Sequence, residues 1–302
     1  MAKASLSGAY DSRVTRKKYA GAPSGILRRV LGAWLVLLAA PLSGLGAQQV
    51  DLPQRAPSAV GGRAIAAAIA GMDLREREDH LVKEILGGNV PAFLRTFTRI
   101  EMSVEFEGRL HVVVLDVLPD VLAVGSDRDF LRIPLSPHAA QVIADRTGTS
   151  LPTSKISDAV WASATLRMVP QPIPPSEAMT TVPVFVDHQW LIEAAWPEGV
   201  VHGVAVAGIK KDVVLTPRLA DESGRVAIYG WHEQNGVPIQ PVYTGHTDDW
   251  VDYSHGIRLV SRRVSVDGVE HDLVDLLEDS DLWVLVSNEG PMSPARYASP
   301  HR

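Results

Sequence analysis

The sequence contains no cysteine. Disulfide staples, thiolate nucleophiles and cysteine metal ligands are excluded together, so stability must come from a packed core. Basic runs are equally scarce beyond residue 47. The first 47 residues hold seven of the 29 Lys and Arg and one of the 35 Asp and Glu, leaving 22 against 34, a net charge of −12 over residues 48–302. Phosphate backbones and anionic lipid surfaces attract basic patches, so neither nucleic acid nor a membrane surface is an expected partner. A neutral or cationic small molecule, peptide or glycan is. No repeat of roughly twenty to fifty residues recurs, and the cofactor, if there is one, stays unspecified.

Only one apolar run is long. "VLGAWLVLLAAPLSGLGA" follows Lys17, Lys18, Arg28 and Arg29 and ends in small residues before "QQVD". A charged, apolar, small-residue order is that of a signal peptide, here residues 1–47, with cleavage expected near Ala47 and a secreted or periplasmic product without stable membrane insertion. The pair Arg28-Arg29 leaves both the general and the twin-arginine route open.

Periodicity divides what remains. Residues 48–62 are rich in Pro, Gln, Ser and Gly and read as a flexible tether. In 63–169, "MDLREREDHLVKEILGG" has helical spacing, followed by a strand meander from Arg99 to Pro137 and by two helical runs, "HAAQVIADRTG" and "SKISDAVWASATL". Five prolines in 170–183 exclude a regular helix or central strand and mark a linker or an ordered covering loop. Residues 184–290 are mainly β, with "LWVLVSN" as the last strand, and 291–302 form a polar tail in which His301 is expected to be uninvolved. The fold class is therefore α+β, with a helix and meander in the N-terminal half and mainly antiparallel β in the C-terminal half.

Chemistry-bearing residues concentrate in "YGWHEQNGVPIQPVYTGHTDDWVDYSHG", which holds His232, His246 and His255 together with Tyr229, Trp231, Tyr243, Trp250 and Tyr253. Rings beside imidazoles and carboxylates suit a pocket that stacks on a substrate while moving protons; hairpin loops also collect such residues for turn reasons. If Asp252–His255 is extended, Asp252 and Ser254 face one way and Tyr253 and His255 the other, so Ser254 and His255 do not pair unless a turn intervenes. His232, His246 and His255 with Asp248, Asp249 or Asp252 would permit a metal site, though no spacing demands one. In "AGIKKDVVLTP", Lys210 is open to two readings: a buried amine of lowered pKa that serves as a base, or a solvated edge that discourages strand addition. His188 and His202, single histidines near apolar runs, read as packing or loop residues.

The run "IYGWH", then "SHG" and "IRL", then "LWVLV", resembles the signature of the L,D-transpeptidases over Val226 to Ser287. The resemblance implies that Ser254, His255, Gly256 and Arg258 match the family's motif, and that Ile257 stands where its nucleophilic cysteine would be. Cysteine-based transpeptidation is thereby excluded. The longer pattern "KKDVV", "GWH", "PIQP" and "VDYSHGIRLV" is similar to a group of exported microbial proteins without an assigned activity.

These features predict an exported hydrolase or acyl-transfer enzyme acting on envelope or extracellular peptide or glycan material. His255 is the expected acid or base, with Ser254 or a metal-bound water as nucleophile, Asp252 as orienting carboxylate, and His232 and His246 nearby. Trp231, Tyr243, Tyr253, Arg258 and Lys210 are the expected substrate contacts. The alternative is a non-catalytic envelope or carbohydrate binder with an aromatic-lined cleft.

Overall fold

The structure is a computed structural model and describes residues 48–298; the expected signal peptide and His301 lie outside these residues. Helices α1 (Gly62–Ile69) and α2 (Leu74–Leu86) lead into two hairpins, β1 (Thr98–Phe106) with β2 (Arg109–Val117) and β3 (Ala123–Ser126) with β4 (Asp129–Arg132). Then come α3 (Pro137–Arg146), β5 (Thr149–Ser150), α4 (Ser154–Ser163), β6 (Leu166–Arg167) and α5 (Val182–Ala195). The C-terminal half carries β7 (Val206–Ala207), β8 (Lys211–Val213), β9 (Arg225–His232), β10 (Pro238–Thr247), β11 (His255–Gly256), β12 (Val260–Val266), β13 (Val269–Asp272) and α6 (Leu273–Glu278). The α+β class is as the periodicity implied.

Local chemistry sets the helix starts. Asp73 and Glu76 form a reciprocal capping box on α2, and Ser136 and Thr153 accept the Ala139 and Ile156 N–H groups at the starts of α3 and α4. Strand pairing then joins the two halves of the chain. The order β1-β2-β12-β13, with β5 also on β12, places Val113, Leu115 and Val117 opposite Val266, Val264 and Val260, all buried. A second sheet, β10-β9-β8-β11, is antiparallel except for the short parallel pair β8–β11. All described residues belong to one compact unit.

Three segments depart from their sequence reading. The expected tether is docked: Val50 N–H donates to Arg95 O at 2.9 Å, Gln48 O accepts from Phe97 N–H at 2.9 Å, and the Arg55 guanidinium bonds Asn89 Oδ1 at 2.8 Å. "LWVLV" is a 3₁₀ turn, not a strand, because the Asp279 carboxylate caps the Asp281 and Leu282 N–H groups. The polar tail is anchored by its apolar members, Met292, Ala295 and Tyr297, all buried. Tyr297 Oη donates to Val214 O at 2.7 Å and accepts from Ala227 N–H at 2.9 Å, which ties the tail to the second sheet.

Candidate functional site

Asp252 starts the local geometry of the opening of β11. One of its oxygens accepts both the Ser254 N–H, at 2.7 Å, and the Ser254 hydroxyl, at 2.5 Å, and its carbonyl accepts the His255 N–H at 3.1 Å. The stretch is therefore a turn, not extended, and the turn brings the Asp252 carboxylate to 3.7 Å from His255 Nε2. Ser254 gives its proton to Asp252 and forms no dyad with His255. The next residue must be glycine: a Cβ on Gly256 would sit 2.7 Å from Val121 Cγ1 and 3.0 Å from Lys210 Cβ. That close approach lets β11 pair with β8, with Lys211 N–H donating to Ser254 O at 2.8 Å.

Pairing with β8 sets Lys210 beneath the turn. Its side chain is buried, not solvated. The ammonium donates to Tyr253 O and lies 3.2 Å from His188 Nδ1, an imidazole that α5 supplies from the same face as Phe185 and Ile192. With Lys210 donating to Nδ1, the imidazole proton sits on Nε2, which is buried and faces the Gln171 backbone. Both nitrogens of His255 are buried and unpartnered, as is Trp231 Nε1. Trp231 holds φ at 54°, a left-handed conformation that L side chains adopt at a cost of about 1–2 kcal/mol. Its indole meets the His188 ring edge-on at 5.8 Å, and Tyr253 meets that ring at 4.8 Å.

Burial decides the protonation of this cluster. It lowers the Lys210 ammonium to about 7, helped by the Arg132 charge and opposed by Asp252 and Asp120. Burial, with the Lys210 charge, takes His188 down to about 2. Burial also takes His255 to about 4 against the pull of Asp252. Asp252 is held below the ordinary carboxylate range: burial raises it, but His255, the Ser254 hydrogen bonds and Lys211 lower it further. At neutral pH the cluster thus pairs an anionic Asp252 with two neutral imidazoles and an amine that titrates in the physiological range.

A proline-bearing strap covers the cluster. Tyr253 Oη accepts the Ile173 N–H at 2.8 Å and donates to Ile173 O at 3.0 Å, and Tyr253 N–H donates to Met179 O at 3.0 Å. Surface cavities of about 330–820 Å³ among the described residues lie elsewhere, and those four are not lined by His188, Lys210, Asp252, Tyr253 or His255. His255, the expected acid or base, is fully enclosed.

The remaining expected site residues scatter. His232, stacked on Trp161, donates its Nε2–H to Asp158 Oδ1 at 2.8 Å, and Tyr229 Oη donates to the same oxygen at 2.7 Å, so His232 belongs to a separate group. Arg258 braces the fold through Leu118 O at 2.7 Å and Val206 O at 2.9 Å and is buried, which removes it from substrate contact. Trp231 and Tyr253 are buried as well. His246 stays half-buried on β10, stacked on Trp250 at 5.2 Å with Tyr243 edge-on at 5.2 Å, and the Trp250 indole N–H reaches Asp252 Oδ2 at 3.2 Å. No group of three or more His, Asp or Glu among the described residues is arranged to hold a metal ion. His188 was read as packing; its place on the buried face of an apolar helix, between Phe185 and Ile192, is the signal that marks it out.

No family model, curated protein or solved structure matches the chain.

Proposed function

We propose that the chain is an exported hydrolase or acyl-transfer enzyme for envelope or extracellular peptide or glycan material, with Lys210 as its base. The observation that carries the reading is the buried Lys210 amine set between two imidazoles, with both His255 nitrogens buried and without a partner. Unsatisfied groups cost about 1–3 kcal/mol each, and a fold keeps several in one place only where another selection acts on them. An amine that titrates near 7 is matched to proton transfer at neutral pH.

In this reading the neutral Lys210 amine takes the proton of an attacking water or acceptor hydroxyl. Asp252 then stabilises the ammonium formed, and the proton returns to the leaving group. Substrate entry requires the 170–181 strap to move. Tyr243, His246 and Trp250 form the outer stacking platform, and Trp250 links it to Asp252. That same platform, half-exposed on β10, favours a second reading, a binder of glycan or cationic peptide that performs no chemistry.

The test is incubation of the purified chain with cell-wall sacculi and a panel of chromogenic esters and amides, with Lys210→Met and Trp250→Ala alongside. Turnover that Lys210→Met abolishes supports the enzyme. Sacculus binding without turnover, lost in Trp250→Ala and retained in Lys210→Met, supports the binder and overturns the enzyme.

A further inference from the structure

Away from the Lys210 cluster, the link between α5 and β7 inserts His202 into a box of aromatic rings. Trp196 lies 4.4 Å from the imidazole centre, Phe130 meets it edge-on at 4.9 Å, and Phe93 stacks on it at 5.5 Å. Phe93 and Phe130 also touch each other edge to face at 5.1 Å, so the walls stand as a unit. The open side holds a carboxylate: Glu193 Oε2 is 3.2 Å from His202 Nε2. His202 Nδ1 is buried and has no partner. A space walled by aromatic rings with one carboxylate beside it suits an organic cation, which is drawn to the negative face of a ring such as Phe93.

A buried ion network backs the box. Behind it, the fully buried Arg132 bonds Asp120 Oδ2 at 2.8 Å and Glu193 Oε1 at 2.6 Å, and its guanidinium lies over Phe130 and Trp196 at 5.0 and 5.3 Å. Glu193 is thus the carboxylate that faces both the Arg132 guanidinium and the box. The box also reaches solvent: the Glu193 and His202 side chains are 30% and 23% exposed, and neighbouring Val201 is 72% exposed.

The connection that carries His202 turns at two glycines. Gly199 and Gly203 bracket it with φ of 78° and 102°, conformations other residues rarely adopt. The loop is held by the Trp196 indole N–H, which donates to Val200 O at 2.9 Å, by Val200 N–H, which donates to Pro197 O at 3.2 Å, and by the bridge between His202 and Val204.

We propose that Phe93, Phe130, Trp196 and Glu193 form a binding site for an organic cation of the quaternary ammonium class, which His202 occupies as a tethered plug until the ligand displaces it. The site shares no residue with the Lys210 cluster, and its test reads ligand binding, not turnover.

Choline and its neutral isostere 3,3-dimethyl-1-butanol are the probes, titrated into the wild-type chain with the Trp196 indole proton followed by NMR. Choline should move that resonance saturably, because displacing the loop breaks the bond to Val200, and the isostere should leave it in place. His202→Ala and His202→Ser, which empty the box, should each bind choline at least tenfold more tightly than wild type. Phe93→Leu, which removes one wall, should weaken binding at least tenfold while the other indole resonances keep their positions. Equal responses to choline and its isostere, no response in the wild-type chain, or no gain in either His202 variant would overturn the proposal.

Discussion

Lys210 Nζ lies 3.2 Å from His188 Nδ1, and both side chains are buried in a cluster where Asp252 and Asp120 supply the opposing negative charge. A lysine placed so is expensive for the native state, and that expense is measurable. Its amine titrates near 7 in the folded chain and at 10.5 in the open one. Between those values the unfolded chain binds the extra proton, so stability rises with pH from about 7 to 10.5, and below about 7 the full penalty is present. Lys210→Met should therefore stabilise the chain by about 2–4 kcal/mol at pH 7. The gain should shrink to nothing above pH 10.5. Denaturant melts of both proteins across this range check the expectation, and a destabilised Lys210→Met at pH 7 would contradict the burial argument.

The two imidazoles act in the opposite part of the scale. His188 and His255 titrate at about 2 and about 4 when folded, against 6.5 when unfolded. Their neutral forms are matched above pH 6.5, and stability is lost as the pH falls from there toward the folded values. Each should cost about 2 kcal/mol between pH 6.5 and 5. The slope of stability against pH in that window should be visibly shallower in His255→Leu than in wild type.

Ser254 and Asp252 should separate cleanly on substitution. Ser254 serves the turn through one hydroxyl bond to Asp252, so Ser254→Ala should cost about 1 kcal/mol and leave any turnover intact. Asp252→Ala removes the acceptor of the Ser254 and Trp250 bonds and the anion that faces Lys210, Lys211 and His255. It should cost on the order of 3 kcal/mol and abolish turnover. If Ser254→Ala alone ends turnover while keeping its melting temperature, the serine is the nucleophile and Lys210 its helper.

Opening of the strap should depend on the Tyr253 hydroxyl. Tyr253→Phe deletes both bonds to Ile173 and keeps the ring against His188. Amide exchange across residues 171–181 should rise roughly tenfold, in line with about 1–2 kcal/mol of lost local hydrogen bonding, with the rest of the chain unchanged.

The sequence by itself determined the elements with strong local signals. The capping box at Asp73, the alternation in β1 and β2 and the proline density of 170–183 depend on neighbours a few residues apart. They could be read without knowing what the elements pack against. "LWVLV" misled because an apolar run is read the same way in a strand and in a buried 3₁₀ turn. The region of the candidate site was legible too, since Asp252, Ser254 and His255 are adjacent in the chain. Tertiary structure alone decided their roles. Burial is a property of what arrives from elsewhere: α5 brings His188, 42 other positions' worth of chain separate Lys210 from Tyr253, and the strap from Ile173 to Met179 closes over them. Only that enclosure turns Lys210 from a solvated edge residue into a buried amine, and it is enclosure, not residue identity, that sets a protonation state.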